Sequence, residues 1–248
     1  MHPIRVVPTA GRRGFTIVEL LVVVGIIAVL ATLITPAVIR ARGAARNAAI
    51  KTEIDMLHMA IMNYKNEYGS FPPCSSPITS GSAMARHLQR LFPRCDVPAH
   101  LVAAGAGAVN PQNALLSWLL GYTSDPTSPL LPANVRKKLY DFDQARITST
   151  GYIPAGKPDS PYVYIDSARY GAALSPTNYG VVVSSGTVLY AAQTQTLTSG
   201  VAFFNPDTFQ ILCAGQDGIF GTDSNTAGED DLSNFWTGTR AQHKSRNQ

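Results

Sequence analysis

The feature that most constrains this chain is the run from Phe15 to Thr35, 21 residues in which Glu19 is the one charged side chain. A helix rises 1.5 Å per residue, so the run spans about 30 Å, the thickness of a bilayer's hydrocarbon core. Ahead of it, residues 1–14 carry Arg5, Arg12 and Arg13 and no acid. That asymmetry predicts a leader held in the cytoplasm and an exported remainder. Placing Asp at the centre of an inserted helix costs about 2.5–3.5 kcal/mol, and Glu is comparable. A secretory signal peptide or a plain anchor has no use for such a residue, so Glu19 marks a function. The run is also long for a signal-peptide core, and no small-x-small cleavage site with turn residues follows it.

Gly14-Phe15-Thr16-Ile17-Val18-Glu19-Leu20-Leu21 resembles the cleavage and methylation signal of type IV prepilins and type II secretion pseudopilins. The resemblance implies that a prepilin peptidase cuts after Gly14 and methylates the new N-terminal Phe15. It also implies that Glu19, the fifth mature residue, serves assembly. A neighbouring subunit's terminal ammonium would neutralise the carboxylate inside an apolar bundle and fix the axial register between subunits. An unpaired charge there is costly, whereas a paired one specifies register. Pro36 extends the match, because the family often has proline at mature position 22 and 36 − 14 = 22. A proline inside a helix removes a hydrogen bond and kinks it. A signal anchor with an incidental glutamate is the competing reading.

Beyond Pro36, Ile50, Ile54, Leu57, Ile61, Tyr64 and Tyr68 recur at spacings of 4, 3, 4, 3 and 4, one face of an amphipathic helix. Lys51, Glu53, Asp55, Asn63, Lys65 and Glu67 fall mostly on its other faces. Gly69-Ser70-Phe71-Pro72-Pro73 then supplies a glycine C-cap and a proline stop. One helix is therefore expected from about Phe15 to Tyr68. The run from Lys51 to Pro72 is similar to the helix end of the G-type major pseudopilin of type II secretion.

Residues 72–161 hold 12 of the 17 prolines. They predict a loop-rich, ordered insertion with short helices over Ala83–Phe92, Ala114–Leu120 and Ala133–Tyr140. Asp159-Ser160-Pro161-Tyr162-Val163-Tyr164-Ile165 resembles the family's turn into its first strand. Further strands are expected at Tyr179–Val183, Thr187–Ala191, Val201–Phe204 and Phe209–Cys213, short segments rich in β-branched or aromatic residues and separated by turn formers. The expected class is α+β: a long N-terminal helix, transmembrane in its first half, packed on a small antiparallel sheet in the pilin-like manner.

After the last expected strand, Gly215 to Leu232 holds Asp217, Asp223, Glu229, Asp230 and Asp231 with no Lys or Arg. Hard oxygen donors on a glycine-rich loop suit Ca²⁺, although the spacing is not that of an EF-hand. A solvated acidic turn is the alternative that the residues alone leave open. Gly215-Gln216-Asp217-Gly218 and Asp230-Asp231-Leu232-Ser233-Asn234-Phe235-Trp236 resemble the two ends of the calcium loop of G-type pseudopilins. The resemblance implies Asp217, Asp230 and Asp231 as ligands, with Asp223, in the middle of a longer loop, a weaker candidate.

The formal charge of +4 is unevenly spread, since Tyr170 to Thr239 contains no Lys or Arg. No basic stripe is interleaved with aromatics, and no nucleic-acid partner is expected. Cys74, Cys95 and Cys213 lack metal-type spacing. In an exported body Cys74 and Cys95 could close a loop of about 20 residues, worth about 3 kcal/mol; three reduced thiols are the alternative. No G-x-S-x-G or H-E-x-x-H is present, and His2, His58, His87, His100 and His243 are scattered. The expectation is a substrate of prepilin peptidase and not a catalyst.

The resemblance divides the chain into a cytoplasmic leader (1–14), a transmembrane and filament-core helix (15–36), an amphipathic helix (37–69) and a periplasmic head (70–248). The head includes the insertion 72–161 and the acidic loop 213–236. The implied role is a pseudopilus subunit, single-pass in the inner membrane, with other pseudopilins and an inner-membrane assembly platform as partners. A type IV pilin for adhesion, motility or DNA uptake is the alternative among filaments. A non-assembling, membrane-anchored binding protein is the alternative of another class.

Overall fold

The computed structural model describes residues 15–74, 82–95, 109–123, 125–127, 129, 136–156, 160–170, 182–183, 187–188, 193–197, 200–220 and 229–246. The chain divides into two compact units, residues 1–44 and 45–248. Helix α1, Ile17–Tyr68, contributes to both and continues through Pro36 without interruption.

In the first unit the described residues are helical from Ile17 onward, and their large apolar side chains are exposed on every face. In the second unit α1 behaves as an amphipathic core helix. Ile50, Ile54, Leu57, Ile61 and Tyr64 are buried, as the 4-3-4-3 spacing predicts, and Tyr68 packs at the edge of the cluster. Gly69 ends the helix in a left-handed conformation (φ 79°), and its N–H closes on the Lys65 carbonyl at 2.7 Å.

The class is α+β, as expected. Strands β3 (Val163–Asp166), β8 (Phe209–Cys213) and β9 (Leu232–Ser233) form an antiparallel sheet in the order β3-β8-β9, with Tyr164 opposite Ile211 and Cys213 opposite Leu232. Among the described residues, three two-stranded pairs accompany it: β1 (Tyr122–Thr123) with β2 (Arg136–Lys137), β4 (Val182–Val183) with β5 (Thr187–Val188), and β6 (Gln193–Leu197) with β7 (Gly200–Phe203). Strands β3 and β8 are buried at every position, so no polar alternation marks them.

The insertion belongs to the same core as α1. Helices α2 (Ala83–Leu91) and α3 (Ala114–Leu119) coincide with two expected segments. They bring Met84, Leu88, Leu115, Trp118 and Leu119 into one hydrophobic cluster with Ile54, Leu57 and Tyr64. Ser82 caps α2 by accepting the Ala85 N–H at 3.1 Å. Trp118 Nε1 donates to the Pro73 carbonyl and Tyr164 Oη to that of Pro72, each at 2.9 Å, which fastens the chain where it leaves α1.

Two expectations need correction. No helix forms over the described part of Ala133–Tyr140: Arg136 and Lys137 make β2 instead, and the N–H groups of Leu139 and Tyr140 both donate to the Leu119 carbonyl. Phe209–Cys213 is not the last strand, because β9 follows the acidic loop and a final helix, α4 (Arg240–Arg246), ends the described chain. Cys74 and Cys95, for which a disulfide and reduced thiols were both left open, are buried in the hydrophobic cluster.

Candidate functional site

Among the described residues, polar side chains gather at the start of α1, in the acidic loop and in buried networks around α1. At the N-terminal end of α1, Phe15 is exposed and Thr16 precedes the first helical residue. The Glu19 carboxylate accepts both the Thr16 N–H and the Thr16 hydroxyl at 2.9 Å, and the Thr16 Oγ1 accepts the Glu19 N–H at 3.2 Å. This is a reciprocal capping box, which satisfies amide donors that the first helical turn otherwise leaves open. Its signal, Thr-x-x-Glu ahead of an apolar run, was present in the sequence and unused. Gly14 lies outside the described residues. Farther along, the Thr32 and Thr35 hydroxyls each donate to a carbonyl of their own helix, Val29 and Ala31, at 2.7 Å. The polar side chains of the run are thus bonded within the helix, as an apolar solvent requires.

The second place is the acidic loop. Asp230 Oδ2 accepts the backbone N–H groups of Gln216 and, at 3.2 Å, Asp217, which ties one end of the loop to the other. Asp217 Oδ1 in turn accepts the Ile219 N–H at 2.8 Å. Gly215 lies so close to Asp230 that an added Cβ would stand 2.2 Å from its carbonyl oxygen. Asp231 is buried, and its carbonyl accepts the Arg240 N–H at 2.9 Å. The structure therefore brings Asp217 and Asp230 together and seats Asp231 beside them in the chain. Asp223 falls outside the described residues. Among the described residues, no three His, Cys, Asp or Glu side chains are grouped to hold a metal ion.

The third place went unseen in the sequence. Glu53, assigned by periodicity to an outer face, is only 8% exposed. Arg146 donates to both its oxygens, Nη1 at 2.9 Å, while Tyr152 and Tyr162 donate hydroxyls at 2.8 and 2.5 Å. Burial pushes the Glu53 carboxyl up, but the donors Arg146, Tyr162 and Tyr152 outweigh it and hold the group below the ordinary range. The same bonds raise Arg146. A second buried network joins α1 to α2 and β1: Tyr64 Oη lies 2.7 Å from His87 Nε2 and 2.5 Å from Tyr122 Oη. Arg90 faces the other ring nitrogen, Nδ1, at 3.1 Å. Burial first, and the Arg90 charge second, lower His87 to about 4. His58 lies against Phe209 with ring centroids 4.9 Å apart, and its Nδ1 stands 3.0 Å from Asn234 Nδ2.

The buried clusters tie α1 to α2, to β1 and to the turn at Arg146, while the large apolar side chains of its first half are exposed.

Residues 9–35 match the model of the prokaryotic N-terminal methylation motif. No curated protein and no solved structure matches the chain. The α1 helix is long and apolar enough to cross a membrane. The N-terminal segment therefore carries a prokaryotic N-terminal methylation motif, the motif typical of type IV pilin-like proteins.

Proposed function

We propose that the chain is a structural subunit of a type II secretion pseudopilus, of the G type, which assembles through α1 to drive protein export across the outer membrane. One observation carries the assembly reading. The large apolar side chains from Phe15 to Ile39 are between 40% (Val38) and 84% (Ile17) exposed, over all faces of the helix. Such a surface needs lipid before assembly and neighbouring helices after it. The methylation motif supports processing by a prepilin peptidase, with the cut after Gly14 and methylation of Phe15. On this reading the subunit is single-pass in the inner membrane with its head in the periplasm. It works as a building block alongside other pseudopilins and an inner-membrane platform, without catalysis of its own. The test is the mass and N-terminal sequence of the mature chain: methylated Phe15 supports the class, and an uncut chain overturns it.

The helix end at Tyr64–Pro72 and the acidic loop favour the secretion branch. The motif itself is common to both branches, so a type IV pilin is the second reading. Neighbouring genes for a secretin and an assembly ATPase separate the two. Replacing Glu19 by Ala addresses the anchored-monomer alternative. An assembling subunit loses filaments while still inserting, and an anchored monomer is unaffected.

For the acidic loop the proposed ligand is Ca²⁺, held by Asp217, Asp230 and Asp231 and less directly by Asp223. The support is chemical: carboxylates from both ends of one glycine-rich loop, tied across it by Asp230, offer the oxygen donors that Ca²⁺ prefers. A chelator is expected to lower the melting temperature of the exported domain and Ca²⁺ to restore it. No shift in either direction removes the site.

A further inference from the structure

Two arginines on α1 serve none of these roles. Arg40 and Arg42 are both exposed on α1 and belong to the same unit as the apolar run. Between Glu19 and Glu53 the sequence contains no acid, so neither arginine has a carboxylate one turn away on its own helix. Among the described residues, neither enters an ion pair. Their position also opposes the bias that keeps arginine on the cytoplasmic side of a span. Two uncompensated guanidinium groups there call for an anionic partner.

Depth indicates which partner. Arg40 lies 23 residues beyond Ile17, the first helical residue, which is about 35 Å of helix. A bilayer measures about 30 Å across its hydrocarbon and about 40–45 Å with headgroups. A helix that enters the hydrocarbon at Ile17 therefore delivers Arg40 and Arg42 to the headgroup layer on the side away from the leader. We propose that Arg40 and Arg42 bind the phosphate groups of anionic phospholipids in that layer. This rests on the membrane-anchored reading above and adds the lipid as a partner of the unassembled subunit. Two residues apart on a helix, the side chains leave on different faces, so each takes its own headgroup. A guanidinium fork matches phosphate oxygens in pairs, and a lipid with net negative charge adds long-range attraction that phosphatidylcholine lacks. Arg46 is the internal comparison. It sits in the head unit, where its guanidinium lies beside Gly156 (an added Cβ there would stand 2.2 Å from Nη2).

The test uses the full mature chain in nanodiscs of mixed phosphatidylcholine and phosphatidylglycerol, with retained lipids counted by native mass spectrometry. Phosphatidylglycerol is expected to be enriched over its bulk share by about fivefold per arginine. Enrichment disappears in the Arg40→Gln/Arg42→Gln variant and persists in Arg40→Lys/Arg42→Lys and in Arg46→Gln. Millimolar inorganic phosphate leaves it unchanged. Wild-type chain retaining the two lipids in their bulk ratio overturns the proposal, whatever the variants do. Displacement by inorganic phosphate also overturns it, as a free-anion site. Loss of filaments in the Gln variant without any lipid enrichment assigns the arginines to acidic groups of a second copy and overturns it equally. Resistance of the chain to carbonate extraction reports anchoring separately, and the N-terminal mass reports the filament reading separately.

Discussion

Glu53 and Arg146, 93 positions apart in the chain, meet in a two-pronged ion pair that Tyr152 and Tyr162 complete. The pair joins α1 to the short 3₁₀ turn Gln144–Arg146 of the insertion, within the same unit. Removing one member leaves the other desolvated. Arg146→Met is therefore expected to cost roughly 3 kcal/mol, more than a surface ion pair provides. Chemical denaturation of the detergent-solubilised chain measures it; a loss no larger than that of Lys138→Met, whose pair with Asp141 is exposed, contradicts the assignment.

The His87 network predicts a pH dependence with a definite sign. The fold lowers the imidazole to about 4 from an ordinary value near 6.5, so the folded state favours the neutral ring. Its contribution is complete above the unfolded value and is lost as pH falls from about 6.5 toward about 4. Glu53, also lowered, loses its contribution below the ordinary carboxyl range, so the two losses follow one another on acidification. Unfolding free energies measured across pH 7 to 4 should decline, and His87→Gln should flatten the curve between 6.5 and 4.

Gly215 is expected to tolerate no side chain. A Cβ there would stand 2.2–2.4 Å from three atoms of Asp230, backbone included, so the loop must open. Gly215→Ala should lower the melting temperature in the presence of chelator as well as calcium. Asp217→Asn, by contrast, should act only when calcium is present. Equal behaviour of the two variants removes the distinction between loop closure and ligation.

The capping box predicts local, not global, behaviour. Thr16→Ala should speed amide exchange at Ile17 to Leu20 and leave the buried amides of β8 unchanged, while Thr16→Ser retains protection. Unaltered exchange at the helix start contradicts the cap.

The legible parts of this fold were those where one period or one residue type acts alone. The Ile50–Tyr64 stripe, the Gly69 cap and strand β8 were all readable that way. Glu53 was misread because periodicity assigns a charged residue to solvent, whereas its partners arrive from 93 to 109 positions away. β2 was missed because Arg136-Lys137 carries no strand pattern of its own; pairing with Tyr122-Thr123 makes it a strand. β9 is two residues long and depends likewise on its neighbour, β8. α4 did carry a local signal: Thr239 and Gln242 exchange backbone-to-side-chain hydrogen bonds at 3.1 and 3.4 Å, a second capping box. For the acidic loop, the sequence listed the carboxylates, but the tie of Asp230 to the Gln216 and Asp217 amides required the fold.

The Thr16–Glu19 box has a consequence for the energetics of any assembly that uses this carboxylate. In the lone subunit Glu19 already holds two donors from its own chain. An incoming ammonium therefore meets an acid whose hydrogen-bond demand is partly met, and the gain on docking is the difference between two arrangements and not the worth of a whole new pair. Such a contact is weak for one subunit and reversible. On the proposed reading, firm attachment belongs to many helices packed together, and the part proposed for Glu19 is their alignment.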